Sequence, residues 1–426
     1  MAQTTRETIT ATWRDESARL VGALARMTRD LDLAEDLAQD ALVSALESWP
    51  AQGIPDNPGA WLMTVAKRRA VDSFRRADKL RRRTEELGHG LREEDSMSDP
   101  TTQVDFIEDD VLRLIFLSCH PKLTAESRAA LTLRLVGGLT TAEIARGFLV
   151  GETAVGQRIS RAKKTLSEAG VDFELPTGAE RTERLDDVLA VVYLIFNEGY
   201  TATAGSNWMR PELTNEAIRL ARMLAELVPD EPEVHGLQAL LELQASRASA
   251  RVDAAGAPVL LDDQDRSRWD ELLIRRGLAA LHRAEGLAVR GKPVGRYYLQ
   301  AAIASQHACA SEAATTDWSA IARLYDVLAE AAPGPIVEVN RAVAHGRAFG
   351  ADSGLAILER LPGSALAGSH LLPSVRADLL VRAGRHVEAA SAFREAASLT
   401  SNDREQSLLL GRAADAEHAV ALPPQG

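Results

Sequence analysis

The chain is poor in aromatic residues, 4% of its 426 positions, and has only two cysteines, Cys119 and Cys309. So few thiols exclude a disulfide-stapled scaffold. Both sit in apolar helical contexts and are expected to be buried free thiols of a reducing cytoplasm. No segment approaches ~18 uninterrupted apolar residues, so no membrane span is expected. The opening stretch MAQTTRETITATWRDES lacks the apolar core of a signal peptide. Sustained two-residue alternation is missing, which argues against sheet. There is no glycine-rich phosphate loop, no zinc-type Cys/His spacing and no nucleophile with an evident base, and the nine histidines are scattered. Neither an enzyme nor a cofactor-dependent or metal-binding protein is therefore expected.

What is present points to helix. Hydrophobic residues make up 46% and charged residues 26% of the chain, with Ala, Leu, Arg and Glu dominant, as in a soluble all-α protein. The length leaves room for two or three domains. The net charge of −12 is unevenly placed: residues 1–170 hold 24 basic and 26 acidic side chains, residues 171–426 hold 25 and 35. A nucleic-acid binder need not be basic overall, because phosphate contacts depend on local patches.

Residues 8–77 read as helical with a break at Pro50–Pro58, residues 78–107 as a polar linker, basic then acidic, and residues 108–170 as helical again. Pro176 marks a boundary, and 180–420 continue as helix after helix, with prolines at helix starts and connections. Gly350 and Gly384 lie 34 residues apart, each opening a helix rich in small residues. That is the tetratricopeptide period, with an irregular helical bundle as the alternative.

Residues 140–166, TTAEIARGFLVGETAVGQRISRAKKTL, form a helix-turn-helix pattern. Thr140 and Glu143 have capping-box spacing, Leu139 and Ile144 can staple the entry, and Leu149–Gly151 supplies the turn. In the second helix Val155, Ile159, Ala162 and Leu166 share the inward face, leaving Glu152, Thr153, Gln157, Arg158, Arg161 and Lys164 outward, with Lys163 in the same basic cluster. Gln and Arg read base edges in pairs of hydrogen bonds, and Arg and Lys hold phosphates.

A second basic segment, 61–83, carries nine basic and two acidic residues between Lys67 and Arg83. Leu62, Ala66, Ala70 and Phe74 form an apolar stripe, with Val65 and Val71 off it; Trp61, Thr64, Arg68 and Arg75 gather opposite. An aromatic among arginines suits single-stranded DNA, where bases stack and the backbone is neutralised. Upstream, DLDLAEDLAQDALVSALESWP is a helix expected to pack Leu42, Leu46 and Trp49 inward and to present Glu35, Asp36, Gln39, Asp40 and Glu47 outward.

In combination, residues 10–168 resemble an extracytoplasmic-function RNA polymerase sigma factor, two small helical domains joined by a flexible linker. The acidic helix resembles the one that docks on the β′ clamp helices, implying core-polymerase contacts by Glu35, Asp36, Gln39 and Asp40. WLMTVAKRRAVDSFRR resembles the helix that engages the melted −10 strand, implying contacts by Trp61, Lys67, Arg68, Arg69, Arg75 and Arg76. The loop Pro50–Gly59 before it resembles the one that captures a flipped-out base. The helix-turn-helix resembles the −35 reader, implying contacts by Glu152, Thr153, Gln157, Arg158, Arg161, Lys163 and Lys164. The linker acids Glu93, Glu94, Asp95 and Asp99 would thread towards the polymerase cleft. Three departures stand out: Gly151 replaces the usual capping Ser, Gly156 a common basic residue, and Arg68 a frequent Asn.

VVYLIFNEGYTATAG, RPELTNEAIRLARML, RYYLQAAIASQHA and PIVEVNRAVA resemble the tetratricopeptide-like extension of one subgroup of these factors. That resemblance implies core RNA polymerase (β′ and β subunits) and promoter DNA as partners, a YCII/DGPF-type protein as a further one, no cofactor, and control of activity by the extension. From the residues alone, Asn197, Glu198, Tyr200 and Trp208 are candidate regulatory contacts or else a packed helix end, while Tyr297 and Tyr298 are expected in the core. A DNA-binding regulator with a helical-repeat sensor, or a helical scaffold, are the rival readings; neither uses both the second basic helix and the acidic linker.

Overall fold

A computed structural model describes residues 2–85, 107–148, 150–200, 210–253, 259–362, 366, 368–400 and 403–421. The linker acids Glu93, Glu94, Asp95 and Asp99, and Trp208, lie outside them. Among the described residues there are eighteen α-helices and no strand, and no helix is long and apolar enough to cross a membrane. The helices are α1 (Ala2–Thr28), α2 (Leu31–Gln52), α3 (Pro58–Glu85), α4 (Ile107–Ser118), α5 (Ala125–Leu135), α6 (Thr141–Phe148), α7 (Glu152–Glu168), α8 (Gly178–Tyr200) and α9 (Pro211–Leu227). They continue as α10 (Pro232–Ala245), α11 (Glu271–Val289), α12 (Arg296–Cys309), α13 (Trp318–Ala331), α14 (Pro335–Phe349), α15 (Ala351–Leu358), α16 (Leu371–Arg382), α17 (His386–Leu399) and α18 (Asp403–Ala421).

The chain divides into two compact units, Met1–Leu194 and Ile195–Gly426. In the first, α1 packs against α2, α3 and α4, and α5, α6 and α7 form a three-helix module. Leu20, Leu24, Leu37, Trp49 and Leu62 fill the interior around α1, and Leu131, Ile144, Val155 and Ile159 that of the module. Each such side chain contributes about 2 kcal/mol by leaving water. At Gly22 an added Cβ would stand 2.9 Å from the Asp110 carbonyl oxygen, so glycine lets α1 and α4 approach closely. The first unit therefore contains both sequence-defined domains, 8–77 and 108–170, packed together. It extends past Pro176 because the Arg128–Asp187 ion pair (2.7 Å) and the bond from Arg184 Nη2 to the Phe116 carbonyl (2.9 Å) fasten α8 to α4 and α5.

Two boundaries differ from the sequence expectation. α2 runs through Pro50 to Gln52, because a proline in the last, exposed turn interrupts little; Gly53, at φ +89°, then caps Trp49. The break is thus 53–57. Secondly, α3 continues to Glu85, so the basic start of the expected linker at 78–107 is helix.

The second unit is built from packed helix pairs: α10 with α11 and α12, α14 with α15, α16 with α17, and α17 with α18. Gly354 lets α15 approach α14, since a Cβ there would lie 2.5 Å from the Ala342 carbonyl oxygen. Glu233 of α10 caps α12 by accepting bonds from the backbone N–H groups of Gly295, Tyr297 and Tyr298 at 2.9, 2.9 and 3.0 Å. Gly350 and Gly384 both adopt positive φ (99° and 74°), Gly350 as the N-cap of α15 and Gly384 one residue before the N-cap of α17.

Candidate nucleic-acid interface

α6, the first helix of the helix-turn-helix, is held by local chemistry at its entry. Thr140 N donates to Glu143 Oε2 (2.8 Å) and Glu143 N donates to Thr140 Oγ1 (3.2 Å), the reciprocal capping box, with Leu139 and Ile144 buried beside it. Burial pushes the Glu143 carboxyl up, but the two Thr140 bonds and Arg14, whose Nη2 lies 3.0 Å away, outweigh it and hold it below the usual range. α6 ends at Phe148 and α7 starts at Glu152, with Gly151 as an N-cap that offers no side-chain bond. Val155, Ile159, Ala162 and Leu166 are buried. Thr153, Gln157, Arg161 and Lys164 are exposed on the opposite face, joined by Ser160, which sequence reasoning had not singled out. Arg158 is half-buried, and Glu152 accepts from Thr141 Oγ1 at 3.1 Å.

α3 begins with Asn57, whose Oδ1 accepts from Ala60 N (3.0 Å), and Pro58 in the first turn. Leu62, Ala66 and Ala70 are buried and Phe74 is half-buried, while Arg68, Arg75 and Arg76 are exposed and Lys67 is half-buried. Trp61 is half-buried and meets Trp49 edge to face, with ring centroids 5.4 Å apart. Arg69 is not free on this face: it reaches Asp40 (2.7 Å) and Ser44 Oγ (2.7 Å) across the α2–α3 seam. A cavity of about 470 Å³ opens there, between Leu33, Asp36 and Leu37 on one side and Arg69 and Arg76 on the other.

The inward face of α2 consists of Ala34, Leu37, Ala38, Ala41, Ala45 and Trp49. Leu46, expected inside, is 41% exposed, because the small alanines seat the helix one strip round from the larger leucines. Asp36 and Asp40 are exposed and Gln39 is half-buried, donating to Glu35 Oε1 at 2.8 Å. Glu35 itself, expected on the open acidic face, is 7% exposed. Its carboxylate accepts from Arg134 Nε of α5 (2.5 Å) and from Lys163 Nζ of α7 (2.5 Å).

Lys163 completes that network through Asp32 (2.7 Å), leaving its side chain only 10% exposed. Burial alone would lower the ammonium pKa; the bonds Lys163 donates to Asp32 and Glu35 reverse that and raise it, so Lys163 stays charged. In this conformation Lys163 lies off the outward basic face, and a residue nominated for DNA is paired with one nominated for polymerase. Arg134 and Asp32, which hold the two modules together here, were missed because nothing local in sequence marks them.

Cys119 is buried beside Thr132 Oγ1 (3.4 Å), and burial pushes its thiol up to about 12, so it is inert. Cys309, at the last turn of α12, is exposed, contrary to expectation. In the second unit Phe196 and Tyr200 form the packed helix end that was the alternative reading. Tyr200 is buried, stacks on Phe196 (5.1 Å), accepts from Arg247 Nη2 (3.1 Å) and lies under the Arg251 guanidinium (3.8 Å to the ring centroid). Glu198 is paired with Arg210, and Asn197 is exposed. Tyr297 is a core residue, with Tyr298 half-buried.

Comparison with known proteins matches three stretches of the chain. Residues 13–80 match the Sigma-70 region 2 family and residues 113–166 the Sigma-70 region 4 family. Residues 184–285 match a family of unknown function, DUF6596. A protein of Rhizobium meliloti described as uncharacterized is 43% identical over 393 residues, 91% of each chain. The ECF RNA polymerase sigma factor SigK of Mycobacterium ulcerans is 30% identical over 152 residues, 35% of this chain and 78% of its own. The probable ECF RNA polymerase sigma factor SigI of Mycobacterium tuberculosis is 29% identical over 165 residues, 38% of this chain and 56% of its own.

Proposed function

The chain belongs to the ECF RNA polymerase sigma factors, and from that premise we propose which of its residues do the work of a promoter-specificity subunit. It is a transcription initiation factor that binds core RNA polymerase and promoter DNA; phosphodiester chemistry belongs to the polymerase. The −35 duplex is read by Gln157 and Arg161, with Glu152, Thr153, Arg158 and Lys164 around them and Lys163 once released. The opened −10 strand lies on Trp61, Lys67, Arg68, Arg69, Arg75 and Arg76. Glu35, Asp36, Gln39 and Asp40 meet the polymerase clamp. The observation that carries this reading is the outward row Thr153, Gln157, Arg161 and Lys164 on a helix whose other face is buried and whose partner helix is capped.

Pairing of Glu35 with Lys163 and of Asp40 with Arg69 makes the described conformation a resting one. Polymerase and promoter are proposed to take over these partners, so that the two modules separate and span the distance between promoter elements. The helical extension is proposed to modulate that activity, with a YCII/DGPF-type protein as a candidate partner, in the cytoplasm at the nucleoid.

Run-off transcription with purified core polymerase tests the reading. A promoter-dependent product from core and this chain alone is expected. A requirement for a second sigma factor would leave the chain a helix-turn-helix regulator.

A further inference from the structure

The second unit holds a groove that the promoter reading does not use. It has a volume of about 760 Å³ and lies between α9, α10 and α11, within the size range of small-molecule sites. One wall is a face of α11 and its C-cap, where Arg276, Arg283 and Arg290 recur every seventh residue and so point the same way. None of these three guanidinium groups has an ion-pair or hydrogen-bond partner among the described residues. Gly286 lies between them, and a Cβ there would meet nothing within 4 Å, so the groove is open above it. Glu226 is the single carboxylate on the lining.

The deep wall is made of buried polar groups whose hydrogen bonds are incomplete. His235 is 4% exposed; its Nε2 is bonded to the Pro229 carbonyl (2.8 Å), while Nδ1 has no partner. Burial first, and the nearby Arg283 charge, lower the His235 pKa, so the ring is neutral and Nδ1 is an acceptor. Gln238 is 7% exposed and donates through Nε2 to Glu242 Oε1 (3.4 Å), leaving its own Oε1 unpartnered. Behind it Glu242 is fully buried and accepts from Arg222 Nε (2.7 Å). Unmatched buried acceptors each cost about 1–3 kcal/mol, and two of them belong to residues that line this one groove.

We propose that this groove binds a small phosphorylated metabolite, its phosphate held by Arg276 and Arg283, about one two-turn step apart on α11, and its hydroxyl or amino donors by His235 Nδ1 and Gln238 Oε1. Arginine matches phosphate through paired, charge-assisted bonds, and a polyol or amine supplies the donors that the deep wall lacks. A nucleic-acid backbone fits less well: residues 171–426 carry an excess of ten acidic over basic side chains, and a polymer would meet the rim but not the enclosed acceptors.

Isothermal titration of the full chain at physiological salt, with ribose 5-phosphate, inorganic phosphate and ribose as probes, tests the proposal. Ribose 5-phosphate is expected to bind one to one and more tightly than phosphate, and ribose not at all. The exposed double variant R276A/R283A should weaken ribose 5-phosphate at least about tenfold. Gly286→Leu should abolish binding without lowering the melting temperature, since replacing a helical glycine in open space favours the helix. Q238L should weaken ribose 5-phosphate and leave phosphate unchanged. Absence of ribose 5-phosphate binding at millimolar concentration overturns the proposal. So does binding that survives Gly286→Leu, or equal salt-sensitive binding of every anion. Tight capture of a poly-glutamate peptide without ribose 5-phosphate binding would overturn it in favour of an acidic protein. Binding is read without polymerase or promoter, so its failure leaves the promoter reading standing, and the reverse holds too.

Discussion

Two charge clusters, one in each unit, are arranged in opposite ways. In the first, Asp32, Glu35, Asp40, Arg69, Arg134 and Lys163 are paired with one another across helices, and those nominated for polymerase and DNA are spent internally. In the second, Arg276, Arg283 and Arg290 stand unpaired on one groove while acceptors behind them lack donors. A surface whose charges are mutually satisfied is one whose partners must displace something, whereas a surface with charges left over is ready to receive. Packing devices, by comparison, are shared. Asp110 in the first unit is nearly inaccessible between Arg26 (2.9 Å) and Arg113 (2.8 Å), and burial still pushes its pKa up against both cations. Close helix approach through a missing side chain occurs in both units, at Gly22 between α1 and α4 and at Gly354 between α14 and α15.

The contrast can be broken most forcefully at Glu35. Replacing it with Ala strands Lys163 and Arg134 together, and removal of one member of a buried network costs about 4 kcal/mol. Chemical denaturation of the full chain, followed at the first unit's transition, should show that loss. A triple apolar replacement, Glu35→Leu with Lys163→Met and Arg134→Met, should recover most of it. A loss under about 1 kcal/mol for Glu35→Ala would make the network equivalent to a surface pair and dissolve the comparison.

Acid sharpens it next, through the second unit. His307 is held down to about 4, first by burial and then by the Arg247 and Arg266 charges, against an ordinary 6.5. Between these values the unfolded chain takes up a proton that the folded chain refuses. Stability is therefore complete above pH 6.5 and falls as pH drops towards 4, by about 3 kcal/mol in all. Melting temperatures across that range should show the acid arm, and His307→Gln should flatten it.

Smaller effects test the reading helix. Gln157→Ala and Arg161→Ala should each weaken −35 duplex recognition by holoenzyme about tenfold, within the range for a base-edge contact, without loss of core binding. Equal loss of both would remove the role assigned to α7. The smallest change is Gly151→Ser, which adds the missing cap and should stabilise α7 by a few tenths of a kcal/mol, read as a slight rise in the melting temperature.

Much of this molecule is local and was therefore legible. The capping box at Thr140 and Glu143, the buried stripe Val155, Ile159, Ala162 and Leu166, and the basic run of α3 depend on neighbours three or four residues away. Helix periodicity and capping chemistry reveal such neighbours directly. Leu46 and Cys309 were misplaced for the complementary reason: composition identifies an apolar residue but not which strip of its helix meets a neighbour.

By itself, the sequence determined the all-helical class, the helix-turn-helix with its outward face, the second basic helix and the kinship with sigma factors. Only the tertiary structure decided that Glu35 closes on Lys163, 128 residues away, and that three helices enclose a groove with arginines in front and unsatisfied acceptors behind. The physical reason is range. Helix propensity and caps act within a turn or two, so residue order encodes them. An ion pair or a cavity depends on which distant faces meet, and hydrophobic packing of the whole unit selects those faces.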